Sequence, residues 1–184
     1  MLITRDQAAL LIVDVQAKLL PAIYDAPGLS ARLRWLISVA RDNQLPTVFT
    51  EHYPIGLGAT LPDLSASYPE APIVPKTHFS CVAAQCLPDS IMERAQIIIC
   101  GIETHVCVLQ TALQLQQRGK AVFVVADATG SRQLADHSLA LSRLSQAAVH
   151  VVNREMVLFE LLEQAGTAHF KHMSERYLKG TQPL

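Results

Sequence analysis

The sequence predicts an α/β fold of three layers, with a mostly parallel sheet of about six strands between two layers of helices. Two observations support this prediction. Short, wholly apolar runs, which are typical of strands buried on both faces, alternate along the 184 residues with longer segments whose apolar side chains recur at helical spacing. The stretch 97–116 also changes from a strand pattern to a helix pattern just after Gly101. Strands joined in this way by helices are parallel, with right-handed crossovers.

The predicted strands consist of apolar, often β-branched residues between turn residues. The first strand is apolar throughout except for Asp14, which lies near its carboxyl end. The third is short, because only Ile73 and Val74 fit the pattern between neighbouring prolines. The complete set covers residues 8–15, 46–51, 73–74, 97–99, 121–127 and 149–153.

Helical spacing of apolar residues predicts helices over 29–43, 90–94, 104–118, 131–147 and 155–164. Ser30 is a possible N-cap of the first helix, and Gly119 is a typical residue to end the third. The segment 52–75 contains many prolines and is expected to be a functional cover or an interface arm. We expect one domain over residues 1–184, with 165–184 as a peripheral C-terminal tail.

Composition limits the functions that the chain can have. Half of its residues are apolar and only 17% are charged, which excludes a disordered protein and indicates a homo-oligomer with much hidden surface. The net charge of −1 gives no general attraction to nucleic acid or to anionic membranes. No apolar run reaches transmembrane length, and no signal-peptide pattern is present. The four cysteines show no CxxC spacing, so we expect reduced thiols and a cytoplasmic protein.

Three residues stand out as candidates for chemistry. Cys107 falls in the first turn of the predicted third helix, with Thr104 where an N-cap belongs, and the helix dipole there is expected to favour the thiolate. The alternative is a buried, inert thiol. Asp14 ends a strand at the edge where open α/β sheets place their sites, although it could instead cap the next turn. Lys76, taken alone, fits a solvated lysine as well as a functional one.

Taken together, these residues and their surroundings resemble the isochorismatase-like cysteine hydrolase superfamily, which includes nicotinamidases and N-carbamoylsarcosine amidase. The resemblance runs over roughly residues 6–164 and is closer to the small isochorismatase-domain hydrolases of unassigned substrate. It implies a Rossmann-like three-layer fold with strand order 3-2-1-4-5-6. Its motifs are LLIVDVQ, a proline-preceded Lys76, GIETHVCVLQTALQL, VFVVADATGSR and the loop TEHYPIGLG at 50–58.

The resemblance implies a catalytic triad of Asp14, Lys76 and Cys107. In it, the cysteine attacks a carbonyl, the aspartate moves protons and activates water, and the lysine stabilises the charges. The family also has a cis peptide that corresponds here to Ile102–Glu103. This peptide turns the backbone N–H of Glu103 toward the same point as that of Cys107, so the two would form an oxyanion hole. The implied reaction is hydrolysis of a C–N bond in a small amide-type molecule through a thioester.

The sequence also departs from nicotinamidases, which bind a divalent metal through an Asp-x-His pair after the second strand. Here the matching residues are Glu51, His52 and Tyr53, so we predict no metal and no cofactor. We expect Asp127 to support the turn at Thr104, and the other three cysteines to be core thiols. The candidates for the pocket wall are Gln16, Glu51, His52, Tyr53, Phe79 and His105.

Two further interpretations are carried alongside the hydrolase. The first is a catalytically silent binding or scaffold protein that keeps the fold and its oligomeric surface. The second is redox sensing by Cys107, because a thiol of low pKa is also easily oxidised. Dinucleotide binding is disfavoured, since no G-x-G-x-x-G follows the first strand.

Overall fold

The computed structural model describes residues 1–179, in which a six-stranded parallel sheet lies between helices on both faces. The strand order is β3-β2-β1-β4-β5-β6, which confirms the fold class and the predicted order. The sheet reverses its order of growth between β1 and β4, so a crevice opens at their carboxyl ends. The strands are β1 Ala8–Val13, β2 Thr47–His52, β3 Ile73–Lys76, β4 Gln96–Ile102, β5 Ala121–Gly130 and β6 His150–Val152.

The helices connect these strands, and one of them begins earlier than predicted. The first long helix starts at Ala26, and its N-cap is Asp25, whose carboxylate accepts a hydrogen bond from the Gly28 N–H at 3.3 Å. Ser30 is therefore not the cap, because a proline in the first turn lets the helix start upstream. The helices are α1 Ala26–Asp42, α2 Pro54–Leu57, α3 Pro62–Ser65, α4 Asp89–Met92, α5 Leu109–Gln117, α6 Leu134–Gln146, α7 Arg154–Leu162 and α8 Ala168–Tyr177.

The two faces of the sheet bury different side chains. In β1, Leu10 and Ile12 pack into the cluster that contains α1, α7 and α8, whereas Leu11 and Val13 pack into the cluster that contains α5. This alternation follows from the two-residue period of a strand, and it explains why the whole of β1 is apolar. The sheet is covered on both sides, which leaves its carboxyl edge as the open place for a site.

Gly101 brings β4 close to β1 at that edge. Its φ is +113°, and a Cβ atom on it would lie 2.2 Å from the carbonyl oxygen of Val13. The register between β4 and β5 also shifts between Ile99 and Gly101. A glycine is therefore required where the two strands of the crevice meet.

The prediction of a peripheral tail over 165–184 needs correction. Residues 168–177 form helix α8, in which Met173 and Tyr177 are buried in the α1 cluster. The Tyr177 hydroxyl donates to Asp42 Oδ2 at 2.6 Å, and the Trp35 ring N–H donates to the Tyr177 carbonyl at 3.3 Å. Residues 180–184 of the predicted tail lie outside the described residues.

Within 1–179, no helix is both long and apolar enough to cross a membrane.

Candidate active site

Three strand ends carry the predicted triad to one place. Asp14 follows β1 in a left-handed conformation (φ +53°), Lys76 is the last residue of β3, and Cys107 lies in a helical turn after β4. All three side chains are nearly inaccessible, with exposures of 0%, 4% and 5%. The topology therefore brings together residues that are far apart in sequence.

A buried ion pair forms the centre of this site. The ammonium of Lys76 donates to Asp14 Oδ2 at 2.6 Å and to the carbonyl oxygens of His78 at 3.2 Å and Phe79 at 3.0 Å. The other carboxylate oxygen of Asp14 accepts a 2.6 Å hydrogen bond from the Thr50 hydroxyl. Burial lowers the pKa of Lys76, but the Asp14 carboxylate together with Cys107 and Cys81 more than offsets it, so this pKa lies above its ordinary value. The lysine is therefore a charged partner of the carboxylate.

The Cys107 thiol lies within the electrostatic field of this buried pair. Burial, followed by the negative charge of Asp14, raises the pKa of Cys107 to about 12, although Lys76 acts in the opposite direction. The expectation of a resting thiolate is therefore wrong. Desolvation and the charge of the Asp14 carboxylate outweigh the helix dipole, so the sulfur rests as a thiol.

The turn that carries Cys107 is π-helical rather than the first turn of an α-helix. It spans Thr104–Val108 and closes with a 3.2 Å hydrogen bond from the Val108 N–H to the Glu103 carbonyl. Glu103, not Thr104, occupies the N-cap position, and the peptide Ile102–Glu103 is cis.

Side chains from the segment after β5 hold this turn. The Thr104 hydroxyl is 3.0 Å from His137 Nδ1, and His105 Nδ1 is 2.9 Å from the Ser131 hydroxyl. The guanidinium of Arg132 donates to the Glu103 carboxylate at 3.1 Å. Sequence reasoning did not identify these supports or Thr50, because nothing in their local patterns indicates a tertiary partner.

Gln16 is a structural residue and does not line a pocket. It is fully buried, and its amide donates to the carbonyl oxygens of His52 at 3.0 Å and Gly58 at 2.6 Å. It also accepts from the His52 N–H at 2.8 Å. Glu51 has a similar role, since one of its carboxylate oxygens accepts from the Thr60 N–H at 2.6 Å. Both residues fix the loop that follows β2.

Other pocket candidates do surround Lys76. The rings of His52 and Phe79 lie 5.2 Å apart, while Tyr53 and Phe79 are half exposed. Burial and then the charge of Lys76 lower the pKa of His52, so this ring is neutral at neutral pH. A cavity of about 530 Å³ adjoins the lysine and is lined by Tyr53, Pro54, Ile55, Pro75, Lys76, Thr77, His78 and Ala84.

A second cavity, of about 460 Å³, lies at the carboxyl end of β5 and includes none of the triad. Asp127 lines it and accepts from the Arg154 N–H at 2.9 Å. The side chain of Asp127 is therefore paired with the start of α7. The prediction that it supports the turn at Thr104 is wrong. Across residues 1–179, His, Cys, Asp and Glu side chains form no group of three able to hold a metal ion.

Comparisons with known sequences point to one family. A family model described as the isochorismatase domain matches residues 8–156. Isochorismatase domain-containing protein 2 of Bos taurus is 39% identical over 167 residues, covering 90% of this chain and 80% of that protein. The secreted isochorismatase effector Isc1 of Phytophthora sojae is 32% identical over 174 residues, covering 91% and 83%.

Solved structures agree with the sequence comparisons. A structure described as MAR1 ribonuclease from Caenorhabditis elegans has a TM-score of 0.90 and 35% identity, covering 100% of this chain and 98% of that one. The YcaC gene product of Escherichia coli, described as an octameric hydrolase of unknown specificity, has a TM-score of 0.88 and 27% identity. The match covers 97% of this chain and 91% of the YcaC chain.

Proposed function

Because the chain belongs to the isochorismatase family, we propose that it is a hydrolase that cleaves a C–N bond of a small amide-type molecule through a thioester on Cys107. The observation that carries the proposal is the burial of Cys107 where the Asp14 carboxylate acts on its thiol, with Lys76 and Thr50 holding that carboxylate in place. A nucleophile beside an oriented base is the arrangement that covalent catalysis requires.

Because the pKa of Cys107 is raised, its sulfur begins the first step as a thiol and must lose its proton during that step. As the sulfur attacks the substrate carbonyl, Asp14 takes the thiol proton, so a free thiolate need not accumulate. The oxyanion is bound by the backbone N–H groups of Glu103 and Cys107. Asp14 then protonates the nitrogen of the tetrahedral intermediate, the C–N bond breaks, and the amine departs to leave the thioester on Cys107.

The second half of the reaction uses the same groups. Asp14 takes a proton from a water molecule that attacks the thioester carbonyl, and the acid is released as the thiol reforms. Lys76 stays protonated throughout and stabilises the carboxylate form of Asp14. Substrate enters through the cavity beside Lys76, where the half-exposed ring of Tyr53 favours a small molecule with an apolar part.

Acyl adducts on the protein test this function. The protein is incubated with a panel of small amides, digested with trypsin and analysed by mass spectrometry. We expect an acyl group on fragment 95–118, which contains both Cys100 and Cys107, and no acyl group in Cys107→Ala. Cys100→Ala is the matched control and should keep both adduct and turnover. Full turnover by Cys107→Ala would exclude the mechanism.

A phosphodiesterase is the second candidate, because the C. elegans structure is described as a ribonuclease. A phosphodiester contains no carbonyl from which a thioester could form, and the net charge of −1 favours a small substrate over nucleic acid. An RNA oligonucleotide in the same panel separates the two. RNA cleavage that survives in Cys107→Ala, without any acyl adduct, would favour the ribonuclease.

The interpretation as a silent scaffold is the weaker one, since a scaffold has no need of a buried ion pair beside a thiol.

We also propose that the protein is a homo-oligomer, supported by the octameric YcaC and by exposed apolar residues such as Ile55, which is 90% exposed. Sedimentation velocity would show a species heavier than one chain. A cytoplasmic location agrees with four free cysteines, although one relative is named as secreted.

A further inference from the structure

Cys81 and Cys86 occupy the two ends of a six-residue turn between β3 and α4. Gln85 is left-handed, with φ +53°, and its N–H donates to the Val82 carbonyl at 3.1 Å. The Cys86 N–H reaches back to the Cys81 carbonyl at 3.4 Å. These two bonds and the left-handed residue define a Schellman motif, which brings the side chains at its two ends into contact.

The two cysteines are also joined by a 3.6 Å hydrogen bond from the Cys86 thiol to the Cys81 carbonyl, but their thiols have different environments. Cys81 is fully buried, whereas Cys86 is only partly buried and therefore open to small reagents. The interaction with the neighbouring Cys81 thiol, together with the charge of Lys76, lowers the pKa of Cys86. The same contact, followed by burial, raises the pKa of Cys81. Cys86 is therefore the more nucleophilic sulfur, with a protonated thiol beside it.

We propose that Cys81 and Cys86 form a redox-active dithiol, which hydroperoxides convert into an intramolecular disulfide. The Cys86 sulfur attacks the peroxide O–O bond, gains one oxygen as sulfenic acid and releases the alcohol, or water when the oxidant is hydrogen peroxide. The Cys81 sulfur then attacks the sulfenic sulfur, and the hydroxyl leaves with the Cys81 proton as water. Two thiols lose two electrons in all, and one peroxide gains them.

The position of the pair links oxidation to the site beside it. Cys81 Sγ lies 3.9 Å from the Thr50 hydroxyl, which in turn donates to Asp14. The turn also directly follows His78 and Phe79, whose carbonyls hold the Lys76 ammonium. A disulfide directs the Cys81 sulfur to Cys86 and removes its thiol from Thr50. Oxidation is therefore expected to lower turnover reversibly, a consequence that rests on the proposed function.

Trypsin separates the cysteines into two informative fragments, since 77–94 contains Cys81 and Cys86 and 95–118 contains Cys100 and Cys107. The protein is treated with hydrogen peroxide, its free thiols are blocked with iodoacetamide under denaturing conditions, and the digest is analysed by mass spectrometry. We expect fragment 77–94 to lose two hydrogens and take no alkyl group. Dithiothreitol added before blocking should restore two alkylated thiols.

Variants decide between this pair and other oxidation chemistry. Cys86→Ser should not form the bond, and Cys81→Ala should accumulate a sulfenic acid on Cys86 that dimedone traps. Cys100→Ala, which removes a buried thiol outside the pair, should behave as the wild type does. The proposal is overturned if fragment 77–94 keeps two free thiols when methionines are already oxidised, or if the disulfide joins two chains.

Turnover is followed in the same samples once a substrate is known. Wild-type turnover should fall with disulfide formation and return on reduction, whereas Cys86→Ser should resist the loss. Loss of turnover to the same degree in Cys86→Ser would overturn the link to the active site. If the chain hydrolyses no amide, fragment 77–94 still decides the modification, so failure of the proposed function and failure of the dithiol are distinguishable.

Discussion

The carboxylate of Asp14 accepts hydrogen bonds from two side chains, those of Thr50 and Lys76, and its charge raises the pKa of Cys107, which burial also raises. The threonine and the lysine fix its two oxygens, so the carboxylate is oriented before any substrate arrives. Because these side chains are buried, each of these bonds is stronger than it would be at the surface. The chemistry of the cysteine therefore depends on neighbours that do not react.

Replacing Thr50 tests this orientation. Thr50→Val keeps the shape of the side chain but removes the donor to Asp14, so we expect a loss of about 1–3 kcal/mol in the free energy of unfolding and a decrease in turnover. Thr50→Ser, which keeps the hydroxyl, is the matched control and should retain most of both. Urea denaturation measures the first quantity. Equal stability of the two variants would show that this bond contributes nothing.

Replacing Asp14 tests the base. Asp14→Asn removes proton transfer while nearly preserving the shape, so turnover of an active amide should fall by about 10²–10⁴-fold. Circular dichroism checks that the variant is folded. A variant that keeps the wild-type rate would assign the proton transfer to another group.

At the scale of the elements, Gly101 controls how closely β4 approaches β1. A methyl group there would lie 2.2 Å from the Val13 carbonyl oxygen, and the residue would also hold a positive φ. We expect Gly101→Ala to reduce the free energy of unfolding by about 3 kcal/mol or more. Gly119→Ala is the control, because it has a positive φ but nothing within 4 Å of its Cβ, and should cost about 1–2 kcal/mol. Similar losses in both variants would refute the close approach.

The loop after β2 depends on Gln16 in the same way. Gln16→Ala removes three hydrogen bonds to His52 and Gly58, so the amides of 52–60 should exchange with deuterium faster than in the wild type. Gln117→Ala, a change at an exposed helix position, should leave this exchange unaltered. Unchanged protection of 52–60 in Gln16→Ala would contradict the anchoring role.

At the scale of the whole molecule, the sequence predicted the parallel sheet well, because buried parallel strands have a strong local pattern, and the family resemblance implied the strand order. The resemblance also indicated the positions that meet at the edge. The protonation state of Cys107 was not predictable, since it follows from burial and from Asp14, which is distant in sequence. The docking of α8 through Tyr177 was missed for a similar reason, because a short amphipathic segment does not indicate its partner.

The central claim is that Asp14 and Lys76 control the sulfur of Cys107 as one coupled unit. The most direct test is the rate at which iodoacetamide alkylates Cys107, followed on fragment 95–118 across pH in wild type and Asp14→Asn, with Cys100 as the internal control. In the wild type, a pKa raised from 9.0 to about 12 predicts a rate that keeps rising above pH 9 without a plateau. Since folding retains this proton, the free energy of unfolding should fall over the same interval.

In Asp14→Asn, the charge that raises this pKa is gone and the Lys76 cation remains, so alkylation at neutral pH should be faster than in the wild type even though turnover is lost. Equal alkylation rates in the two proteins, or a wild-type plateau at neutral pH, would contradict the account.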